Sequence, residues 1–117
     1  MAKIIVEGSK KEICGSFETA DNAIARMRGL MFRSKPAFIL FDFHGVGIYP
    51  IHSFFVRFNF DAIYLDPEFG VVEAFRSVKP YTALVRPKAP ARYLLETPEG
   101  ICEKFGIAEG SRLEIVD

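Results

Sequence analysis

The sequence predicts a β-rich α+β domain, a small and mostly antiparallel sheet or partly closed barrel with two short flanking helices. Three observations point there. Short apolar or alternating runs recur between turns that carry Gly, Pro or Asp, the pattern of strands. Strand-like runs outnumber helical patterns by about three to one. Most connections are too short for the crossover that parallel pairing needs. With 117 residues and no repeat, low-complexity tract or linker, the chain reads as a single domain, residues 1–117, around one core.

Ile4–Val6 is a short first strand, and after the turn Gly8–Lys11 the run Glu12–Phe17 pairs back on it. A helix is expected next. Thr19 is placed to cap it, Asp21 sits in its first turn, and Ala20, Ala23, Ile24, Met27, Leu30 and Met31 repeat at three-four spacing. Pro36 prevents its continuation. Ala37–Phe43 is apolar on both sides, as a doubly covered strand requires, and the glycines of His44–Pro50 mark a loop. His52–Leu65 reads as one long or bulged strand, or two short ones. Asp66–Gly70 is a turn, so Ala62–Val78 forms a hairpin. Lys79–Pro90, with Pro80, Pro87 and Pro90, is an extended loop, and Arg92–Glu96 is another strand. Thr97-Pro98-Glu99 starts a short second helix, with Pro98 at its first position and Gly106 at its end. Leu113–Val116 is the last strand.

The totals exclude several classes. Half the residues are hydrophobic and a quarter charged, an ordinary globular composition. Fifteen basic and fifteen acidic residues cancel, so the chain lacks the electrostatic footprint of a nucleic-acid binder. The apolar run after Met1 is too short for a secretory signal, and none approaches the roughly 20 residues of a membrane span. A cytoplasmic protein with neither nucleic-acid nor membrane partners is expected. Cys14 and Cys102 match no metal or redox spacing and are expected as buried small apolar residues. No cofactor signature is present: Gly45-Val46-Gly47 lacks the helix a nucleotide-binding loop requires.

Three stretches resemble one family. Ala25-Arg26-Met27-Arg28-Gly29-Leu30-Met31-Phe32-Arg33, His52-Ser53-Phe54-Phe55-Val56-Arg57-Phe58-Asn59-Phe60-Asp61, and Ala91–Glu96 with the following Gly106-Ile107 and Gly110 are similar, in order, to the signatures of the domain of unknown function 192 family. The resemblance covers about residues 12–116 and implies a β-rich α+β fold, with no established reaction. Asn59 stands where the family favours Pro, Val56 where it favours Met, and Ser111 where it favours Asp.

The candidate site residues are Arg28, His52, Ser53, Arg57 and Asp61. On a regular strand Ser53, Arg57, Asn59 and Asp61 share one face, and His52 joins Phe54, Val56, Phe58 and Phe60 on the other. Arg57 is suited to a carboxylate or phosphate, with Asp61 orienting it; alternatively the two satisfy each other across a sheet face. Arg26, Arg28, Arg33 and Lys35 form the local basic concentration, either a solvated helix face or an anion site, and Arg28 is equally suited to holding carbonyls at a helix end. Phe54, Phe58 and Phe60 are assigned to the core, whereas Phe55 either walls a shallow pocket beside Arg57 or packs beneath a helix. Asp42, His44 and His52 match no metal-ligand spacing, so no metal is expected. Adjacent strand residues point apart, which disfavours a triad of His52, Ser53 and Asp61.

The reading that follows is a non-catalytic module binding a small ligand or a protein partner. The alternative is a small enzyme of hydrolase or isomerase type, with His52 as acid/base and Asp61 as its partner, which requires the two within hydrogen-bond reach. A third possibility is self-association through exposed aromatic residues.

Overall fold

A computed structural model describes residues 3–8, 11–22 and 29–116. The strands are β1 (Lys3–Val6), β2 (Lys11–Cys14), β3 (Glu18–Ala20), β4 (Ile39–Gly47), β5 (Phe60–Leu65), β6 (Val71–Val78), β7 (Ala91–Pro98) and β8 (Leu113–Val116). The helix among the described residues is α1 (Ile101–Phe105). Two sheets result, one of order β2-β1-β8 and one of order β3-β4-β7-β5-β6. All pairings are antiparallel except β3 with β4. That parallel pair is possible because residues 21–38 supply the long crossover it needs. The β-rich α+β expectation holds, while only the five-stranded sheet is mixed and no barrel closes among the described residues.

The five-stranded sheet is covered on both faces, so every residue of β5 is buried. Phe60, Ala62 and Tyr64 point into one cluster with Phe41, Leu94 and Leu30. Ile63 and Leu65 point into the other, against Ile4, Leu113 and Cys102 of the smaller sheet and helix. The hairpin of β5 and β6 forms as expected. Its turn is held by the Asp66 carboxylate, which accepts the amides of Glu68 and Gly70 at 2.8 and 2.9 Å. Gly70 is required there, because a Cβ would lie 2.7 Å from Asp66 Oδ2.

Several boundaries differ from the expectations. Thr19 lies in β3 and does not cap a helix. Most of the helix expected there, including Arg28, falls on residues 23–28, outside the described residues, and Gly29–Met31 form a turn. The second flanking helix is therefore not seen among the described residues. Strand β4 runs through the expected loop to Gly47, bulged after Asp42 with His44 at φ 59°. Pro98 ends β7 and does not open the helix, which starts after Gly100 at φ 93°. The apolar run at residues 52–59 is turn and loop, because strand pairing begins only at Phe60.

Asp61 is the polar interruption in β5, and it is only 1 % exposed. Its Oδ1 accepts the Ser77 amide and its Oδ2 the Cys102 amide, both at 2.9 Å. The first bond holds a bulge in β6, where Ser77 adopts φ 54° and the register shifts between Phe60 and Ala62. The second caps α1, whose N-cap glycine has no side chain to offer. Replacing Asp61→Ala leaves the buried Cys102 amide and the part-buried Ser77 amide without their acceptor and should cost about 1–3 kcal/mol. Urea denaturation tests this, and a loss below about 1 kcal/mol would show that water replaces the carboxylate.

Candidate functional site

Ser53 organises the loops at the edge of the first core cluster. Completely buried, its hydroxyl donates to the Lys79 carbonyl and accepts the Thr82 amide at 2.7 Å. Its backbone amide donates to the Thr82 carbonyl, and its carbonyl accepts the amides of Val56 and Tyr81. The Ser53 hydroxyl, its amide and its carbonyl thus tie the turn at 53–56 to the loop at 79–82. A hydroxyl committed in this way is a brace for the two loops, with no lone nucleophilic role.

The braced loops and the turn after Leu30 enclose a hollow of about 430 Å³ lined by Phe32, Phe55, Val56, Arg57, Pro80 and Tyr81. Phe32, Phe55 and Tyr81 have φ of 64°, 66° and 63°, a left-handed conformation that costs an aromatic residue about 1–2 kcal/mol. Each is held against that cost. The Phe32 amide donates to the Phe55 carbonyl at 2.9 Å, and the Tyr81 amide to that of Ser53. The Phe32 and Phe55 rings stack at 5.2 Å, yet Phe32 is 56 %, Phe55 55 % and Tyr81 73 % exposed. Val56 forms the floor. The guanidinium of Arg57 is exposed and has no ion pair or hydrogen bond among the described residues.

The structure does not bring the sequence candidates together as one polar face. Because residues 52–59 are not a strand, the alternation that put Ser53, Arg57 and Asp61 side by side is absent. Asp61 lies on the helix side of the sheet with both oxygens on amides, while Arg57 lines the hollow beside Val56, a residue of the opposite cluster. They form no pair. His52 is exposed, its Nδ1 accepts the Phe54 amide at 3.1 Å, and its ring leans on that of Phe54. No hydrogen bond joins it to Asp61, so an acid/base couple of the two has no geometric support. Phe60 is core, Phe58 half-buried and Phe54 at the surface, while Phe55 does wall a hollow beside Arg57. Cys14 and Cys102 are buried free thiols. Burial, with Asp61 close by, pushes the Cys102 thiol up to about 12, which leaves it inert as a nucleophile. No group of metal-ligating side chains occurs among the described residues.

The match to the family described as uncharacterised ACR, domain of unknown function 192, runs over residues 4–115. The chain belongs to this family. It is 38 % identical over 112 residues to a UPF0127 protein of Pyrococcus furiosus, covering 89 % of this chain and 90 % of that one. A UPF0127 protein of Pyrococcus horikoshii is 36 % identical over 108 residues, covering 86 % and 87 %. The crystal structure of a candidate transcription regulator from Sinorhizobium meliloti superposes with a TM-score of 0.86 at 23 % identity, covering 97 % of this chain and 90 % of the other. A protein of unknown function from Novosphingobium aromaticivorans gives 0.86 at 20 % identity, covering 96 % and 83 %. At those identities the solved structures establish the fold alone, and the domain of unknown function 192 family carries no assigned reaction. No helix among the described residues is long and apolar enough to cross a membrane.

One residue that sequence reasoning missed is Glu96, read only as the end of a strand. It sits in β7 opposite Ile39 and Ala62, on the face of Leu94, and its Oε1 is buried with no hydrogen-bond partner among the described residues. Above it is Gly29, where a Cβ would lie 3.5 Å from Oε1 and 3.0 Å from Phe41 Cζ. Burial drives the Glu96 carboxyl up to about 8, against the opposing pull of Arg33. Arg33 does not neutralise it, because that guanidinium is held by Glu18 and by the Gly29 carbonyl at 2.9 Å. Tyr64 is also pushed up, by burial first and then by Glu96, and its hydroxyl donates to the Tyr49 carbonyl at 2.6 Å.

The folded chain therefore retains a proton on Glu96 that the unfolded chain releases near 4.5. Between about pH 5 and 8 the native state binds more protons than the unfolded one, so stability should fall as pH rises through that window, by a few kcal/mol in all. Glu96→Gln, which cannot ionise, should remove this slope and exceed wild type in stability above about pH 7. Urea midpoints measured from pH 5 to 9 read the difference. Parallel profiles for the two proteins would mean that Glu96 ionises in the native state without penalty.

Proposed function

We propose that the chain is a binding module for a small anionic ligand bearing a flat ring, taken into the hollow of Phe32, Phe55, Arg57 and Tyr81. The observation that carries this reading is the placement of three exposed aromatic residues in left-handed backbone around one unpaired arginine. Strain of that kind persists where surrounding structure imposes it, and it clusters at ligand sites. Exposed aromatic faces offer stacking to a planar ring. An arginine without a carboxylate presents a fork of donors to a carboxylate or phosphate. The size, about 430 Å³, falls in the range of small-ligand pockets, about 300–1,000 Å³. In this reading Ser53 and Asp61 are positioning residues that hold the surrounding loops and sheet, and His52 stands beside the turn that presents Phe55.

A thermal-shift series with aromatic carboxylates and nucleoside monophosphates tests it. At a hundredfold excess over Kd a ligand adds about 2.7 kcal/mol of stability, a Tm rise on the order of 10 °C for a domain of this size. Arg57→Ala should weaken binding at least tenfold with little change in the unliganded Tm. If no anionic ring compound raises the wild-type Tm, the reading fails. A second outcome concerns the strain itself. Tyr81→Gly relieves the left-handed penalty at some cost in chain entropy, so the free protein should gain about 0.5–1 kcal/mol in urea while binding weakens. Destabilisation by more than about 1 kcal/mol would show that the Tyr81 ring serves packing.

A further inference from the structure

A second, larger hollow of about 540 Å³ also borders the loop at residues 79–82, through Lys79 and Thr82. Phe75, Val78 and Leu84 supply apolar surface to it, and Arg76, Lys79 and Arg86 supply three cations without a single carboxylate among the lining residues. Leu84 is 63 % exposed there. In a chain whose charges balance at fifteen and fifteen, this is a marked local excess.

The pairing pattern sharpens it. Among the described residues Arg33, Arg92 and Arg112 each hold a carboxylate. Arg57, Arg76 and Arg86 hold none, and all three line one or other of the two hollows. The nearest approach to a partner is Arg76 Nη2, which donates weakly to the Ile107 carbonyl at 3.4 Å. Neighbouring like charges repel, so cations left together without acids favour an anion from outside.

The wall of this hollow is also braced from within. The Asp61 carboxylate holds the Ser77 amide and with it the bulge that places both Arg76 and Ser77 opposite one residue of β5; such bulges re-aim side chains. The Ser53 hydroxyl holds the Lys79 carbonyl and the Thr82 amide. Both braces are nearly inaccessible to water, at 0 % and 1 % exposure.

We propose that this hollow is a second binding site, and that its ligand is an amphiphilic anion: a carboxylate or phosphate head on an alkyl or acyl chain. The head lies among Arg76, Lys79 and Arg86, and the chain covers Phe75, Val78 and Leu84. Neither half of the hollow explains the other in the absence of such a ligand, since bare cations favour water and exposed leucine favours its exclusion.

Isothermal titration of the full chain with decanoate and with decyl phosphate tests the assignment, with decanol, decyltrimethylammonium and inorganic phosphate as controls. Both amphiphilic anions should bind wild type at least tenfold more tightly than any control. Arg86→Gln and Lys79→Gln, which alter exposed side chains, should each weaken binding at least fivefold with Tm unchanged, and Leu84→Ser should weaken the amphiphiles without affecting inorganic phosphate. Arg57→Ala should bind them as wild type does, which keeps this result separate from that for the first hollow. The proposal is overturned if neither anion binds, if decyltrimethylammonium binds equally, or if inorganic phosphate matches decyl phosphate. It is equally overturned if the loss appears in Arg57→Ala in place of Arg86→Gln, or if a random DNA duplex binds more tightly than either amphiphile through the same cations.

Discussion

The carboxylate of Asp61 is the constraint on which much of the architecture turns. It stands in the middle of a strand that is buried along its whole length, where a charge without partners would be prohibitive. Two backbone amides answer it, one from a bulge in the neighbouring strand and one from the first turn of the helix beyond the next strand. Neither segment is regular enough to satisfy its own amide: Ser77 sits at positive φ, and the helix begins at a glycine. One buried side chain thereby fixes how β6 bends and where α1 docks. Ser53 repeats the device on the other side of the sheet, with a hydroxyl in place of a carboxylate and two loops in place of a strand and a helix.

These braces explain how unfavourable conformations survive at the surface. Phe32, Phe55 and Tyr81 would relax out of left-handed backbone if their loops were free, and the bonds to Phe55 and Ser53 prevent it. Rigid loops that carry exposed rings and unpaired guanidinium groups provide pre-organised recognition surfaces, since little ordering entropy remains to be lost on binding. The two hollows share the loop at residues 79–82, with Tyr81 turned to one and Lys79 to the other. Chemically they differ: flat rings dominate the first, alkyl groups and three cations the second.

Glu96 contrasts with Asp61 although both are carboxyls in adjacent strands of one sheet. Asp61 meets two amides and spends both oxygens on them, whereas Glu96 lies by Gly29 and Phe41, and Arg33, which acts on it, is already engaged by Glu18. Desolvation is therefore uncompensated at Glu96 alone, and the proton stays on. Two carboxyls in adjacent strands thus have different surroundings because of what the neighbouring backbone offers each.

Local pattern alone determined the strands that carry a continuous apolar run or a strong turn. The hairpin around Asp66–Gly70 and the terminal strand at Leu113–Val116 were legible because residues only a few positions apart decide them. The family relationship was legible in the runs at Arg28–Met31 and His52–Asp61. For Phe55 the sequence left two readings open, a pocket wall beside Arg57 or packing beneath a helix, both resting on a strand alternation that residues 52–59 do not adopt. Tertiary structure decided the rest. Thr19 has the chemistry of a helix cap, yet hydrogen bonding of Glu18–Ala20 to β4 takes it into a strand. Residues 52–59 have strand composition, yet the bonds Ser53 makes to residues 79–82, more than twenty positions away, fold them into a turn. Asp61 and Ser53 were marked as site residues from their polarity, and only their distant amide partners show them to be braces. Glu96 passed unmarked because a carboxyl at the end of a strand normally reaches water; its burial depends on Gly29, Phe41 and Ala62, brought over it by segments far apart in the chain. Periodicity records which residues prefer the interior, whereas the state of a buried polar group is set by partners that sequence proximity does not supply.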